Sequence, residues 1–211
     1  MSSGGRPGLE FFLQDALTLA PKLLGCTLHH VTQEGEHLAG RIVETEAYPG
    51  GEDRASHTFG GRRTKRNEVM YSAGGHAYLY FVYGMHTCFN VVSGEEGDGE
   101  AVLVRALEPV LGIHVMERNR KVEEATKLCS GPGKLCQALG LALDSNGENL
   151  CESSRIWIEA GDVADTETLV CTPRIGVGYA AEWAVFPYRY VIPESSHLST
   201  RNGLKAEKSR L

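Results

Sequence analysis

HAYLYFVYGMHTCFNVV, residues 76–92, is the stretch from which the fold class of this chain follows most directly. Its first half, residues 76–83, is rich in aromatic and β-branched side chains, which favour a β-strand. Gly84-Met85 then predicts a tight turn into a second strand over residues 86–92. The sequence therefore predicts a β-hairpin with large side chains at its tip.

Further strands are predicted on both sides of this hairpin. The two before it are residues 26–31 and 37–46, joined by a polar turn, and those after it are residues 101–107, 155–159 and 188–192. Strands outnumber helices, and most are joined by short turns. The pattern predicts an α+β fold, a single compact domain with a mixed, mostly antiparallel sheet, flanking helices and a protruding hairpin.

Three helices are predicted beside the sheet. Residues 12–24 are amphipathic, with Asp15 as a candidate N-cap and Pro21 disturbing the middle. A helix over residues 109–120 is predicted to begin at its proline. A shorter helix is predicted over residues 133–141.

Length and composition predict one domain with flexible ends. The chain has 211 residues, of which 42% are hydrophobic, enough for a sizeable core. We expect a flexible leader over residues 1–7, a domain over residues 8–195 and a flexible C-terminal tail over residues 196–211. No apolar window is long enough to span a membrane, and the N-terminus lacks the blocks of a secretory signal. Six irregularly spaced cysteines favour a reducing compartment.

The charges of the chain are segregated along the sequence. The net charge of −6 argues against nucleic acid as a partner, which usually calls for excess positive charge. Residues 54–67, however, hold five lysines or arginines and no acid, whereas residues 94–100 hold four acids. Local charge decides where an anion binds, so the negative total does not exclude a basic face.

Glu44 and Glu46 are the candidate catalytic carboxylates. They lie two apart on a predicted strand, so their side chains share one face. One interpretation is a solvated strand end. The other is a buried pair that needs a cationic partner, which Arg41 or Arg105 could supply. A partly desolvated glutamate held by an arginine can act as a general base towards water.

Aromatic side chains surround this acid pair, and each has two interpretations. Tyr48 and His57 lie on the following loop, where they could stack on a planar ligand or only pack against the core. The hairpin tip could fold back onto the body, or it could act as a wedge between base steps in a duplex.

Two segments could contact phosphate. The run from Arg62 to Arg66 is either a solvated face or a backbone-contacting loop. Residues 130–134, SGPGK, open a predicted helix whose free amides attract anions, but they lack the spacing of a nucleotide-binding loop. Cys129 and Cys136 are too far apart for a CxxC half-site, so no metal is expected.

Five ordered stretches give the chain a resemblance to a known family. RIVETEAYPGGEDRASH, GGRRTKRN, AYLYFVYGMHTCFN, VLVRALEP and CSGPGKLCQAL follow one another as in the alkyladenine (3-methyladenine) DNA glycosylase family, and the likeness covers roughly residues 8–190. The resemblance implies that Glu46 activates a water to attack the sugar carbon C1′, and that Arg105 helps to position that water. It implies base-binding roles for Tyr48, His57, Tyr80 and Asn90, intercalating roles for Tyr83, Met85 and His86, and phosphate-binding roles for Arg62, Thr64, Arg66, Arg120 and Lys134.

The resemblance also implies a reaction. A monofunctional glycosylase would flip damaged purines (3-methyladenine, 7-methylguanine, hypoxanthine and ethenoadenine) out of duplex DNA and hydrolyse the N-glycosidic bond, leaving an abasic site in base excision repair. Such an enzyme uses no cofactor and no metal, and we expect a monomer that binds double-stranded DNA and no membrane. We expect it to be nuclear if the source is eukaryotic and cytoplasmic otherwise. The alternatives are a non-catalytic damaged-DNA or RNA binding module and a hydrolase of free nucleosides.

Overall fold

The computed structural model describes residues 4–82 and 86–204. The helices are α1 (Leu9–Phe12), α2 (Ala16–Lys22), α3 (Ile113–Arg120), α4 (Ala125–Leu128) and α5 (Pro132–Leu139). The strands are β1 (Thr27–Val31), β2 (His37–Tyr48), β3 (Ala77–Val82), β4 (His86–Ser93), β5 (Glu100–Leu111), β6 (Ile156–Glu159), β7 (Val170–Thr172) and β8 (Arg189–Val191). Short 3₁₀ turns cover Gly50–Glu52, Phe59–Gly61, Glu68–Tyr71, Leu143–Ser145 and Gly178–Val185.

One sheet organises the domain. Its main path runs β3-β4-β5-β2-β1-β6, and β8 pairs with both β2 and β7. Within residues 4–82 and 86–204 all pairings of these strands are antiparallel. The predicted α+β class is confirmed. The hairpin of β3 and β4 pairs from Ala77 opposite Val91 to Val82 opposite His86, and its tip lies outside the described residues.

The central strand β2 changes partners halfway along. Its first part pairs with β1, from His37 to Arg41. Its last part pairs with β8, where Glu44 lies opposite Val191 and Glu46 opposite Arg189. The register against β5 shifts on both sides of Glu44, and also between Ala39 and Gly40. Such irregularities bend a strand and re-aim its side chains, and here they occur beside the two candidate carboxylates.

Helices cover the sheet and complete the core. α2 packs on β2 and β5, and α5 packs on β4 and β5. Leu19 of α2 and the following Leu23, together with Leu135 and Leu139 of α5, are fully buried in one apolar cluster. The Asp15 side chain accepts a hydrogen bond from Thr18 N, so the predicted N-cap is confirmed, although the helix begins after it and not at residue 12. No helix among the described residues has the length and apolar character needed to cross a bilayer.

The predicted start of the third helix, α3, at Pro109 is wrong. β5 continues through Pro109 to Leu111 because these residues pair with Gly40 and Ala39 of β2. The strand ends at Gly112, whose φ of 75° is accessible to glycine without steric cost, and α3 follows. Pairing across the sheet therefore overrides the helix-start signal of the proline. The strand β7 and the helix α4 were not predicted.

The described residues nearest the two ends of the chain contact the sheet domain. Gly5 O accepts a hydrogen bond from Ala160 N, and the Arg6 guanidinium lies 4.3 Å from the centre of the Trp157 ring. Ser199 N donates to the Glu44 carboxylate at 2.7 Å, so residues after Pro193 supply a donor to a buried acid of the sheet. The flexible leader and tail stay predictions.

Candidate active site

Glu46 is fully buried and hydrogen-bonded on both carboxylate oxygens. Oε1 accepts from Ile175 N at 2.7 Å, and Oε2 accepts from the Tyr48 hydroxyl at 2.9 Å. Arg105 Nη1 lies 3.2 Å from Oε2. A carboxylate offers about four acceptor positions, so these three donors leave capacity for one further hydrogen bond, such as one from a water.

The Glu44 carboxylate is hydrogen-bonded to two arginines. Its Oε1 accepts from Arg105 Nε at 2.9 Å and from Arg189 Nε at 2.8 Å. Ser199 adds its backbone N–H and its hydroxyl, each at 2.7 Å. Burial by itself would raise the pKa of Glu44, but the guanidiniums of Arg105 and Arg189 outweigh it and hold the pKa below its usual value. The interpretation as a solvated strand end is therefore wrong.

Arg105 joins the two carboxylates into one cluster. Its Nε contacts Glu44, its Nη1 contacts Glu46, and its Nη2 donates to the Ser199 hydroxyl at 3.3 Å. The position on β5 follows from the register, since β5 runs beside the part of β2 that carries both acids. The sequence suggested Arg41 or Arg105 as the cationic partner of the acid pair. Arg105 is that partner, and Arg41 pairs with Glu167 instead.

Tyr48 connects this acid cluster to a cavity. Burial and the neighbouring Glu46 carboxylate raise the pKa of Tyr48 well above its usual value, so the hydroxyl stays protonated and donates to Glu46. The same side chain lines a cavity of about 60 Å³. The residues around this cavity are Tyr48, Ala55, His57, Met70, Tyr78, Tyr80, Asn90, Ala101 and Tyr179.

The four residues expected to bind a base thus come together around one small space. Glu46 does not line this cavity, but its carboxylate accepts the hydrogen bond of Tyr48, which does. The volume of about 60 Å³ corresponds to roughly two water molecules. A two-ring base would therefore enter only if the surrounding rings separate.

His57 and the tyrosines of β3 pack against one another at this cavity. The His57 and Tyr80 rings are 4.5 Å apart at an interplanar angle of 75°, and a 2.8 Å hydrogen bond joins His57 Nδ1 to the Tyr78 hydroxyl. Asn90, directly opposite Tyr78 in the hairpin, donates from Nδ2 to Tyr78 O at 3.0 Å. These contacts fix the orientation of the histidine ring and of the asparagine amide.

We expect His57 to stay neutral at physiological pH. Burial, followed by the positive charges of Arg66 and Arg62, lowers the pKa of His57 to about 4. The expected result of a titration followed by NMR of the His57 ring protons is a transition near pH 4, with no change between pH 6 and 8. A titration near the usual value of 6.5 would show that the ring is solvated and does not pack in the cavity.

A basic cleft adjoins the cavity. It has a volume of about 290 Å³ and shares Ala55, His57 and Tyr179 with the cavity. Three of the five predicted phosphate-binding residues line it, namely Arg62, Thr64 and Arg66. Thr64 is held by Asn67, whose Oδ1 accepts from the Thr64 hydroxyl at 2.9 Å. Positive charge therefore lies next to the ring-lined space, as a ligand carrying both a planar group and phosphate would need.

The remaining predicted DNA contacts lie elsewhere. Arg120, at the end of α3, donates to Leu128 O at 3.1 Å and contacts Gln137 of α5, so its guanidinium is engaged within the protein. Lys134 lies in the first turn of α5, and the exposed His86 packs beside that helix at Gly133. Tyr83 and Met85 lie outside the described residues.

A second buried ion pair lies behind Tyr48 and was not predicted from the sequence. Arg174 contacts Asp53 with both terminal nitrogens, and both side chains are fully buried. Arg189 and the Ile175 amide were missed as well. Arg174 and Ile175 belong to PRIGVGYAAEW, residues 173–183, which no local pattern links to the acid pair. Within the described residues, no group of three histidine, cysteine or acidic side chains could hold a metal ion.

Comparisons with known proteins show the family of the chain. The family model described as Methylpurine-DNA glycosylase matches residues 10–196. A protein from Desulfitobacterium hafniense (strain Y51) is 43% identical over 204 residues, which cover 93% of this chain and 99% of the relative. One from Clostridium botulinum (strain Hall) is 44% identical over 200 residues, which cover 91% and 98%. Both carry the name "Putative 3-methyladenine DNA glycosylase". On these matches, the chain belongs to the methylpurine-DNA glycosylase family.

Proposed function

We propose that this protein is a monofunctional DNA glycosylase that hydrolyses the N-glycosidic bond of damaged purines by means of a water activated by Glu46. Membership of the family makes it a hydrolase of N-glycosyl bonds that acts on DNA. The observation that carries the mechanism is the placement of one carboxylate, Glu46, directly behind a wall of a ring-lined cavity that opens beside a basic cleft.

The proposed step moves one proton and breaks one bond. Glu46 takes a proton from a water, whose oxygen forms a bond to C1′ while the bond from C1′ to the purine nitrogen breaks. The electron pair of that bond leaves with the base, and an abasic sugar remains. Arg105 Nη1 lies 3.2 Å from the Glu46 carboxylate and holds it in place.

Access to the cavity accounts for part of the selectivity. A base inside a duplex is shielded, so the nucleotide must rotate out, at a cost of a few kcal/mol that is smaller for a damaged or mismatched pair. The base must also separate the rings of His57, Tyr80 and Tyr48. Stacking on these rings returns about 1–3 kcal/mol, and a positively charged alkylpurine gains further through cation–π attraction.

The function is tested by excision from duplex DNA. We expect the protein to release hypoxanthine or ethenoadenine from a duplex with one such base, so that alkaline treatment cleaves the strand at the abasic site. The controls are the same duplex with adenine at that position and the free modified nucleoside. Binding without cleavage on every lesion would identify a binding module, and equal cleavage of the free nucleoside would identify a nucleoside hydrolase.

The pH dependence should separate charged from neutral lesions. A cationic alkylpurine is a good leaving group without a proton, whereas hypoxanthine must be protonated to leave. We therefore expect the single-turnover rate for hypoxanthine to fall more steeply with rising pH than the rate for 7-methylguanine. The measurement is single-turnover excision of both lesions from pH 5 to 9, and parallel profiles would contradict protonation of the neutral base.

A further inference from the structure

The buried side chain of Arg174 contacts the backbone beside Glu46, and the next residue in the chain contacts the Glu46 carboxylate. Arg174 Nη1 donates to Ala47 O at 2.9 Å, and Ala47 lies between Glu46 and Tyr48 on β2. The next residue, Ile175, donates its backbone N–H to Glu46 Oε1 at 2.7 Å. One side chain therefore links the β2 backbone beside Glu46 to the loop that supplies a donor to Glu46.

The same guanidinium supports the cavity wall from behind. Its central carbon lies 4.6 Å from the centre of the Tyr48 ring and 5.3 Å from that of the Tyr188 ring, so it makes cation–π contacts with both tyrosines. A planar guanidinium can stack on a ring while its nitrogens donate hydrogen bonds, whereas an ammonium has no plane to stack. Asp53 balances the charge and holds the guanidinium plane through two hydrogen bonds.

An ion pair that served stability alone would not have to contact Tyr48 and the backbone beside Glu46. Replacing a buried pair by apolar residues is often neutral for stability, so burial alone does not explain an Arg174–Asp53 pair in contact with Tyr48 and with the backbone beside Glu46. We propose that Arg174 is a positioning residue for excision, which sets the Tyr48 ring in the cavity wall and orients the Glu46 carboxylate through the Arg174–Ile175 backbone. This inference rests on the proposed glycosylase function.

The test is Arg174→Lys, with Arg41→Lys as the matched control. Lysine keeps the charge next to Asp53 but loses the stack and the fork of donors. Arg41 also makes a two-pronged contact with an acid, Glu167, on another part of β2. We expect Arg174→Lys to lower the single-turnover rate at neutral pH by roughly 10- to 100-fold, since small displacements at a reacting group have effects of this size. Arg41→Lys should stay within about twofold of the wild type, as expected for a partly exposed ion pair.

The rate constant at saturating enzyme distinguishes positioning from a general loss of stability. A loss of stability lowers the amount of folded protein but leaves the rate constant of the folded enzyme on bound lesion DNA unchanged. A displaced Ile175 N–H and Tyr48 ring should lower that rate constant itself, because the Glu46 carboxylate is then misaligned with its water. A wild-type rate constant at saturating enzyme would overturn the proposal.

A second readout does not depend on activity. In protein labelled with ¹³C-tyrosine, with Tyr48 assigned through Tyr48→Phe, the Tyr48 ring signals should shift in Arg174→Lys and stay unchanged in Arg41→Lys. Unchanged Tyr48 signals would overturn the proposal, whereas a wild type that excises no lesion would overturn the proposed function instead. If Arg174→Lys does not fold, Arg174→Met combined with Asp53→Leu removes both buried charges, and the same two readouts apply.

Discussion

Replacing Glu46 by glutamine should abolish excision while the protein still binds lesion-containing DNA. The amide keeps the size of the side chain and leaves the cavity lining unchanged, but it cannot accept a proton from water. General-base catalysis contributes about 10²–10⁴-fold, so we expect the single-turnover rate to fall by roughly 10³-fold or more. The dissociation constant for a lesion duplex, measured by fluorescence anisotropy, should change by less than about fivefold, as for a group that acts only in the transition state.

The control for this substitution is Glu108→Gln. Glu108 lies on β5, the strand that carries Arg105, and its carboxylate is partly exposed and 3.8 Å from Arg41. The same chemical change at this position should leave both the rate and the affinity unaltered. Near-normal turnover by Glu46→Gln would show that Glu46 is not the general base. An equal loss of rate in both variants would point to a general effect of lost negative charge.

Replacing Glu44 by glutamine should instead reduce stability. The carboxylate is fully buried and neutralises Arg189, which is also fully buried, as well as Arg105. Removing one partner of a buried ion pair leaves an uncompensated charge and costs about 3–5 kcal/mol in the free energy of unfolding. The measurement is urea unfolding of the wild type and the variant at pH 7. A loss below about 1 kcal/mol, the value typical of surface pairs, would show that solvent reaches this cluster.

The contribution of Glu44 should also disappear in acid. Its pKa is lower in the folded protein than the usual value of 4.5, so the folded state binds a proton less readily than the unfolded state. The stabilisation is therefore complete at pH values above 4.5 and is lost as the pH falls through the lower folded pKa. We expect the difference in stability between the wild type and Glu44→Gln to shrink when unfolding is repeated near pH 3.

A matched substitution separates burial from charge pairing. Glu167 pairs with Arg41 through two hydrogen bonds of 2.9 and 2.5 Å, but both side chains are partly exposed. Glu167→Gln should therefore cost no more than about 1 kcal/mol, because solvent can replace the lost partner. Equal losses for Glu44→Gln and Glu167→Gln would contradict the assignment of Glu44 to a desolvated cluster.

The two carboxylates of β2 thus have different expected roles despite having one arginine in common. Glu44 accepts from two guanidiniums and twice from Ser199, and three of these four donors end on Oε1. Glu46 accepts a hydrogen bond from Tyr48, which lines the cavity. This contact with the cavity wall favours Glu46 as the base.

The sequence alone was sufficient for the features that depend on local pattern and on short motifs. Aromatic and β-branched residues predicted the first strand of the hairpin, and the N-cap at Asp15 followed from the chemistry of its side chain. The ordered motifs predicted the family, and they named Glu46 with the residues that the structure gathers around one cavity, Tyr48, His57, Tyr80 and Asn90. These inferences succeed because strand propensity, capping and short motifs depend on residues that are neighbours in the sequence.

Only the tertiary structure decided what surrounds the carboxylates. Arg189, Ser199 and Ile175 lie more than a hundred residues from β2 in the chain, and nothing local in their segments marks them as partners of Glu44 or Glu46. The continuation of β5 through Pro109 depended likewise on pairing with β2. The physical reason is the same in each case, since buried charges and strand edges are satisfied by whatever the fold brings near, and that choice depends on contacts across the chain.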